Sequence, residues 1–186
     1  FALGDLNRDG YDEFALSNTR ETADTDGGLF VFAGRANFPG AGTPMSTAGS
    51  LLTIRRESGE QQATGFAYTG LLYATAGDFN ADGFLDLAVG EPSRTTSAGT
   101  SFTLLDQDRR GSVFIFLDVA KLIGSGDVLL SSDDVTLRGE ADYDDFGVLA
   151  DQPRLDVNGD GMDDLLVGAP GVNGLLNGFK PQAGRI

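Results

Sequence analysis

The sequence predicts an all-β fold assembled from repeated four-stranded antiparallel units. Three observations predict it. Three segments of the chain align with one another without gaps. The 27 glycines fall between short β-branched and aromatic runs, as in short strands joined by tight turns. No stretch carries a convincing amphipathic helical period, and the best candidate, Asp118 to Gly124, is short.

The aligned cores are Gly4 to Asn18 (GDLNRDGYDEFALSN), Gly77 to Pro92 (GDFNADGFLDLAVGEP) and Leu155 to Pro170 (LDVNGDGMDDLLVGAP). Their leading aspartates, Asp5, Asp78 and Asp156, lie 73 and 78 residues apart. A Phe- and Val-rich strand follows the first two cores, Gly28 to Phe32 and Gly111 to Phe116, and Gly184-Arg185-Ile186 opens the same strand in the third. Two further runs match, Leu51 to Ile54 and Val135 to Arg138. Each is followed by an aromatic-small dipeptide, Phe66-Ala67 and Phe146-Gly147. Each repeat therefore holds about four strands. One such unit cannot cover both of its faces, whereas units stacked radially cover each other, the propeller solution. Inserts at Pro39 to Ser50 and Ser93 to Ser101, rich in Gly, Ser, Thr and Pro, lengthen the period and read as exposed loops. The expected organisation is a partial β-propeller: residues 1–65 part of a blade, 66–145 a blade, and 146–186 part of a third.

The strand interiors follow a period of two. Leu87 and Val89 share one sheet face, as do Leu165 and Val167. Phe114 and Phe116 share a face of the neighbouring strand, as Phe30 and Phe32 do in the first repeat. A blade is covered on both sides, so Val113, Ile115 and Leu117 are expected to be buried too.

Each core contains D-x-N-x-D-G-x-x-[D/E]. Side chains at positions 1, 3 and 5 converge when the backbone coils, and the glycine at position 6 permits the sharp turn. Position 7 contributes a carbonyl and position 9 a closing carboxylate. All are hard oxygens, which suit Ca2+ and disfavour zinc or copper. A plain surface turn uses the same residue types. Three copies at the same internal spacing favour calcium. The expected ligands are Asp5, Asn7, Asp9, Tyr11 and Glu13 in loop 1. In loop 2 they are Asp78, Asn80, Asp82, Phe84 and Asp86, and in loop 3 Asp156, Asn158, Asp160, Met162 and Asp164. Tyr11, Phe84 and Met162 would serve through their carbonyls. Position 12 is Leu16, Val89 or Val167, which excludes the helix-loop-helix calcium motif with its acid at that place. The loop sits in a strand-to-strand turn.

The combination of FG, DxNxDGxxD and VGAP resembles the FG-GAP repeat of integrin α-chain β-propellers and their bacterial and archaeal relatives. The third copy matches best, through Phe146-Gly147, Asp156 to Asp164 and Val167-Gly168-Ala169-Pro170. The second has Phe66-Ala67 and Val89-Gly90-Glu91-Pro92, and the first has Glu13 at position 9 and Leu16-Ser17-Asn18-Thr19 for VGAP. The resemblance implies a seven-bladed propeller with calcium in turns opposite the ligand-binding face. This chain would supply part of it, with the remaining blades as its partners.

Composition excludes several classes of function. With 13 basic and 28 acidic residues, the net charge is −15, which is unsuited to nucleic acid and to anionic membrane surfaces. No apolar run approaches membrane-spanning length, so no direct membrane insertion is expected. Cysteine and histidine are absent, which removes disulfides, thiolate metal sites and His-based catalysis. Lys121 and Lys180 are the only lysines and GxSxG is absent, so no enzyme activity is expected within these residues. The reading is a noncatalytic extracellular or cell-surface calcium-binding module for adhesion, surface assembly or recognition. Its protein or glycan ligand would meet inserts such as Pro39 to Ser50 and Thr95 to Asp108. The alternative is the accessory propeller of a surface enzyme whose catalytic residues lie elsewhere. Among smaller motifs, Leu117-Asp118-Val119, Leu155-Asp156-Val157 and Arg138-Gly139-Glu140 read as structural. Asp142, Asp144 and Asp145 read as a solvated turn, and Arg55-Arg56 as too isolated for a polyanion site.

Overall fold

The computed structural model describes residues 1–18, 28–36, 46–56, 72–92, 110–141, 144–151 and 154–171. Phe66-Ala67, Ser93 to Ser101, Asp142 and Gly184 to Ile186 lie outside the described residues.

Short strands dominate, and no α-helix occurs among the described residues. The first sheet begins with β1 (Ala2–Gly4), β2 (Glu13–Asn18), β3 (Gly28–Phe32) and β4 (Leu52–Arg55), neighbours in that order and all antiparallel. The second contains β5 (Tyr73–Gly77), β6 (Asp86–Glu91), β7 (Ser112–Phe116) and β9 (Val135–Arg138), again a four-stranded antiparallel meander. Between β7 and β9 the chain leaves this sheet. It makes a short 3-10 turn at Val119–Leu122, where a short helix was the best candidate, and then forms β8 (Asp127–Leu129). β8 pairs in parallel with β4, on the outer edge of the first sheet. A third pair, β10 (Val148–Leu149) with β11 (Val167–Gly168), is antiparallel. β11 is shorter than the expected Leu165 to Val167 strand, because residues 163–166 are irregular.

The sheets stack on their faces. Leu29, Val31, Leu52 and Ile54 of the first sheet share one core with Leu87, Val89, Phe114 and Phe116 of the second. Val119, Val128 and Leu130 from the excursion close that core. On the opposite face, Val113 and Ala88 pack with Leu149, and half-buried Ile115, Phe79, Phe146, Leu165 and Val167 join them. The middle sheet is thus covered on both sides, and all six residues of β6 are buried. β7 is nearly as closed: Phe114 is 3% and Phe116 1% exposed, and Val113 is buried. Ile115 is only half-buried, and Leu117, half-buried as well, lies beyond the strand end.

The FG dipeptide explains how consecutive units dock. Phe146 bridges to Gly111 and donates its N–H to the Arg110 carbonyl at 2.9 Å. Gly147 lies against Ser112, Glu91 and Pro92 with φ 127°, and a Cβ there would stand 2.6 Å from the Ser112 carbonyl oxygen. Gly147→Ala is therefore expected to destabilise by about 1–3 kcal/mol, from backbone strain and the clash together. Urea unfolding of the variant measures this, and wild-type stability would contradict the docking role. Gly139, the centre of Arg138-Gly139-Glu140, is buried against the same Arg110 carbonyl and Phe146, a structural role.

Asp145 departs from the expected solvated turn, since it is fully buried with φ 51°. It lies beside the docking dipeptide, and packing of the third segment onto the second sheet removes it from water. Asp118 and Val119 are also buried, which leaves Leu117-Asp118-Val119 unavailable as a recognition tripeptide. Arg55 and Arg56 serve structure instead of presenting a basic patch. Arg55 pairs with Asp127 at 2.6 Å, tying β4 to β8, and Arg56 forms a buried ion pair with Glu91 at the end of β6.

Candidate metal centre

All three acidic loops occupy the same place, between the first and second strands of their sheets. Residues 5–12 join β1 to β2, 78–85 join β5 to β6, and the third loop lies between β10 and β11. Two left-handed residues coil each turn. The position 6 glycines Gly10, Gly83 and Gly161 have φ of 92°, 83° and 87°. Position 4 is left-handed too, at Arg8 (62°), Ala81 (59°) and Gly159 (76°). For Arg8 and Ala81 that conformation costs about 1–2 kcal/mol, which the loop's hydrogen bonds must offset.

Those bonds repeat from loop to loop. The position 1 carboxylate accepts from the position 5 and 6 amides: Asp9 and Gly10 donate to Asp5 at 3.0 and 2.9 Å, and Asp82 and Gly83 to Asp78 at 3.1 and 2.9 Å. In the third loop, Gly159 and Gly161 donate to Asp156 at 2.6 and 3.1 Å. The position 3 asparagines Asn7, Asn80 and Asn158 accept from the position 5 amide at 2.8, 2.9 and 2.8 Å. Position 5 then accepts from the position 7 amide: Tyr11 donates to Asp9, Phe84 to Asp82 and Met162 to Asp160, at 2.9, 2.8 and 2.9 Å. Each asparagine Nδ2 also donates to the position 5 carboxylate at 3.0 Å.

Position 9 ties the loop to the body of its sheet. Glu13 Oε2 accepts from Leu6 and Asn7 at 2.8 and 3.3 Å, and its Oε1 accepts from Gly34, beyond β3, at 3.2 Å. Asp86 does the same with different partners: Phe79 donates to it at 2.9 Å and Asp118, beyond β7, at 2.7 Å. The longer Glu13 side chain thus reaches equivalent amides. Asp164 accepts from Val157 and Asn158 at 2.7 and 3.4 Å, in a more exposed setting. Glu13 and Asp86 are 1% and 0% exposed. Burial pushes both carboxyls above their ordinary pKa, against the lowering effect of the amides they accept from. Neighbouring carboxylates push the same way, Asp9 on Glu13 and Asp82 and Asp78 on Asp86.

The donor set fits a hard cation. Every expected side-chain ligand is a carboxylate or amide with lone pairs beyond those used by the backbone. Among the described residues, however, no group of three or more acidic side chains is drawn together closely enough to hold a metal ion as it stands.

The loops also touch one another, which the sequence did not signal. The Arg8 guanidinium donates to the Gly83 carbonyl and lies over the Phe84 ring, 4.0 Å from its centroid. Asp163, at position 8 of loop 3, donates its N–H to the Asp78 carbonyl at 2.9 Å and accepts the Asp78 N–H at 2.8 Å. Phe79 and Phe146 pack between units. Phe84 is substantially exposed beneath Arg8.

Comparison with curated proteins finds no significant match. The family model described as FG-GAP repeat matches residues 74–104 and 155–186. These segments begin in β5 and at the third loop, and each contains an acidic turn at the position just described. Over these two segments, the chain carries FG-GAP repeats.

Proposed function

We propose that the chain is part of a calcium-binding β-propeller, a noncatalytic recognition or assembly module that works outside the cell. The observation that carries the reading is the set of three acidic turns, each between the first two strands of its sheet, in which the position 1 carboxylate accepts the position 6 glycine amide. Side chains of Asp5, Asn7, Asp9 and Glu13 would hold the first ion, with the Tyr11 carbonyl. Asp78, Asn80, Asp82 and Asp86, with the Phe84 carbonyl, would hold the second, and Asp156, Asn158, Asp160 and Asp164, with the Met162 carbonyl, the third. The bound cation supplies the positive charge that such acidic turns lack. A half-turn of the Asn7 and Asn80 amides would exchange Nδ2 for Oδ1 and convert a donor into a ligand. The Asp9 and Asp82 amides stay bonded through that change, because Asp5 and Asp78 already accept from them.

The face-covered middle sheet supports blade stacking. Extracellular calcium modules commonly bind with Kd ~10⁻⁴–10⁻³ M, so such sites fill outside the cell and stay empty in the cytosol. Among the described residues no helix is long and apolar enough to cross a membrane. The ligand would meet the inserts at 39–50 and 95–108. Of these only Ser46–Ser50 is described, and it carries the short 3-10 turn Thr47–Gly49.

Calorimetric titration should count three calcium ions, which would take the net charge from −15 to −9. At free calcium tenfold above Kd, each site adds about 1.4 kcal/mol, or about 3–6 °C of melting temperature. Thermal melts with calcium and with EGTA read this shift. Coincident melts would show that the loops are turns alone.

A further inference from the structure

We propose that Asp163 is a positioning residue that couples the second and third loops, so that a cation in one strengthens binding in the other. The inference rests on the calcium reading above and deepens it. Asp163 stands beside Asp164, which closes the third loop, yet its N–H and its Oδ2 both bond to Asp78, which opens the second. Asp78 in turn accepts from Asp82 and Gly83, so its placement organises the whole second turn. The approach is close enough that Gly77 is required. A Cβ there would lie 2.9 Å from the Asp163 Cβ and 3.1 Å from its Oδ2.

The other seam is built differently. Position 8 of loop 2 is Leu85, whose methyl would meet a Cβ on Gly4 at 3.4 Å. There the polar link is a cation, Arg8, bonded to Gly83. Among the described residues, the second seam places a carboxylate of one loop on the backbone of the next. Ordering residues 160–164 around an ion fixes Asp163, and with it the Asp78 peptide. The second loop then loses less conformational freedom when it binds, and the Asp163 charge adds to its negative potential.

The position 6 glycine amides allow each site to be followed separately in an amide NMR titration with calcium chloride. Gly83 donates to Asp78 at 2.9 Å and Gly161 to Asp156 at 3.1 Å, so each resonance reports its own loop. Disabling loop 3 with Asp156→Ala and Asp160→Ala should weaken the Gly83 midpoint about fivefold or more, a typical coupling between sites. Asp163→Ala removes the side-chain bond to Asp78 and keeps the backbone one, so it should also weaken the midpoint, and disabling loop 3 in that background should then shift it by less than in the wild type. Asp163→Asn keeps the side-chain shape but removes the charge. It should fold as wild type and still weaken the Gly83 midpoint. A Gly83 midpoint unmoved by loss of loop 3, or by both substitutions at 163, overturns the coupling while leaving calcium binding intact. A wild-type protein whose Gly10, Gly83 and Gly161 amides ignore calcium overturns the metal reading and the coupling with it.

Discussion

Phe116→Ala is expected to destabilise the protein by about 3–5 kcal/mol. The ring is 1% exposed and lies opposite Leu87 across the β6–β7 ladder. It faces the core shared by the first two sheets, with Leu29, Val31, Leu52 and Ile54 on the other side. Truncation removes the transfer energy of the ring and leaves a cavity between two sheets. Neither sheet can collapse to fill it without disturbing its own hydrogen-bond ladder. Leu137→Ala, on the exposed edge strand β9, should cost within about 0.5 kcal/mol and serves as the reference. Urea denaturation of both variants measures the contrast. Equal stabilities would mean that the two sheets do not share a core.

Arg56→Leu is expected to cost about 3–5 kcal/mol. Arg56 follows β4 in the first sheet and Glu91 ends β6 in the second, so their ion pair spans the interface between sheets. Both side chains are almost wholly buried, at 3% and 2% exposure. Removing the guanidinium takes a cation from a carboxylate that has left water, and desolvation is then uncompensated. Glu91→Leu alone should be comparably harmful. The double replacement should recover most of the loss, because an apolar pair of similar volume carries no desolvation penalty. A double-mutant cycle by chemical denaturation checks this. Additive costs, or single costs below about 1 kcal/mol, would show that the pair is solvated and contributes little.

The sequence by itself determined the repeated parts of the protein. Gap-free spacing placed each acidic turn, and apolar residues two apart marked β6 and β7 and the faces they share. Those features are local: a glycine at position 6 or an alternating strand acts within a few residues of itself, and repetition makes the signal stand out. The left-handed backbone at Arg8 and Ala81 has no signal in their residue types, because their side chains do not favour it and the surrounding hydrogen bonds impose it. Only the tertiary structure decided what lay across a seam. It returned β8 to the first sheet in parallel with β4, joined Arg56 to Glu91, buried Asp145 and laid Asp163 on Asp78. Each of these depends on a neighbour brought from far along the chain. An acidic or basic residue reads as solvated until the opposing surface is known. The energy that holds it inside comes from that surface, not from its own stretch of sequence.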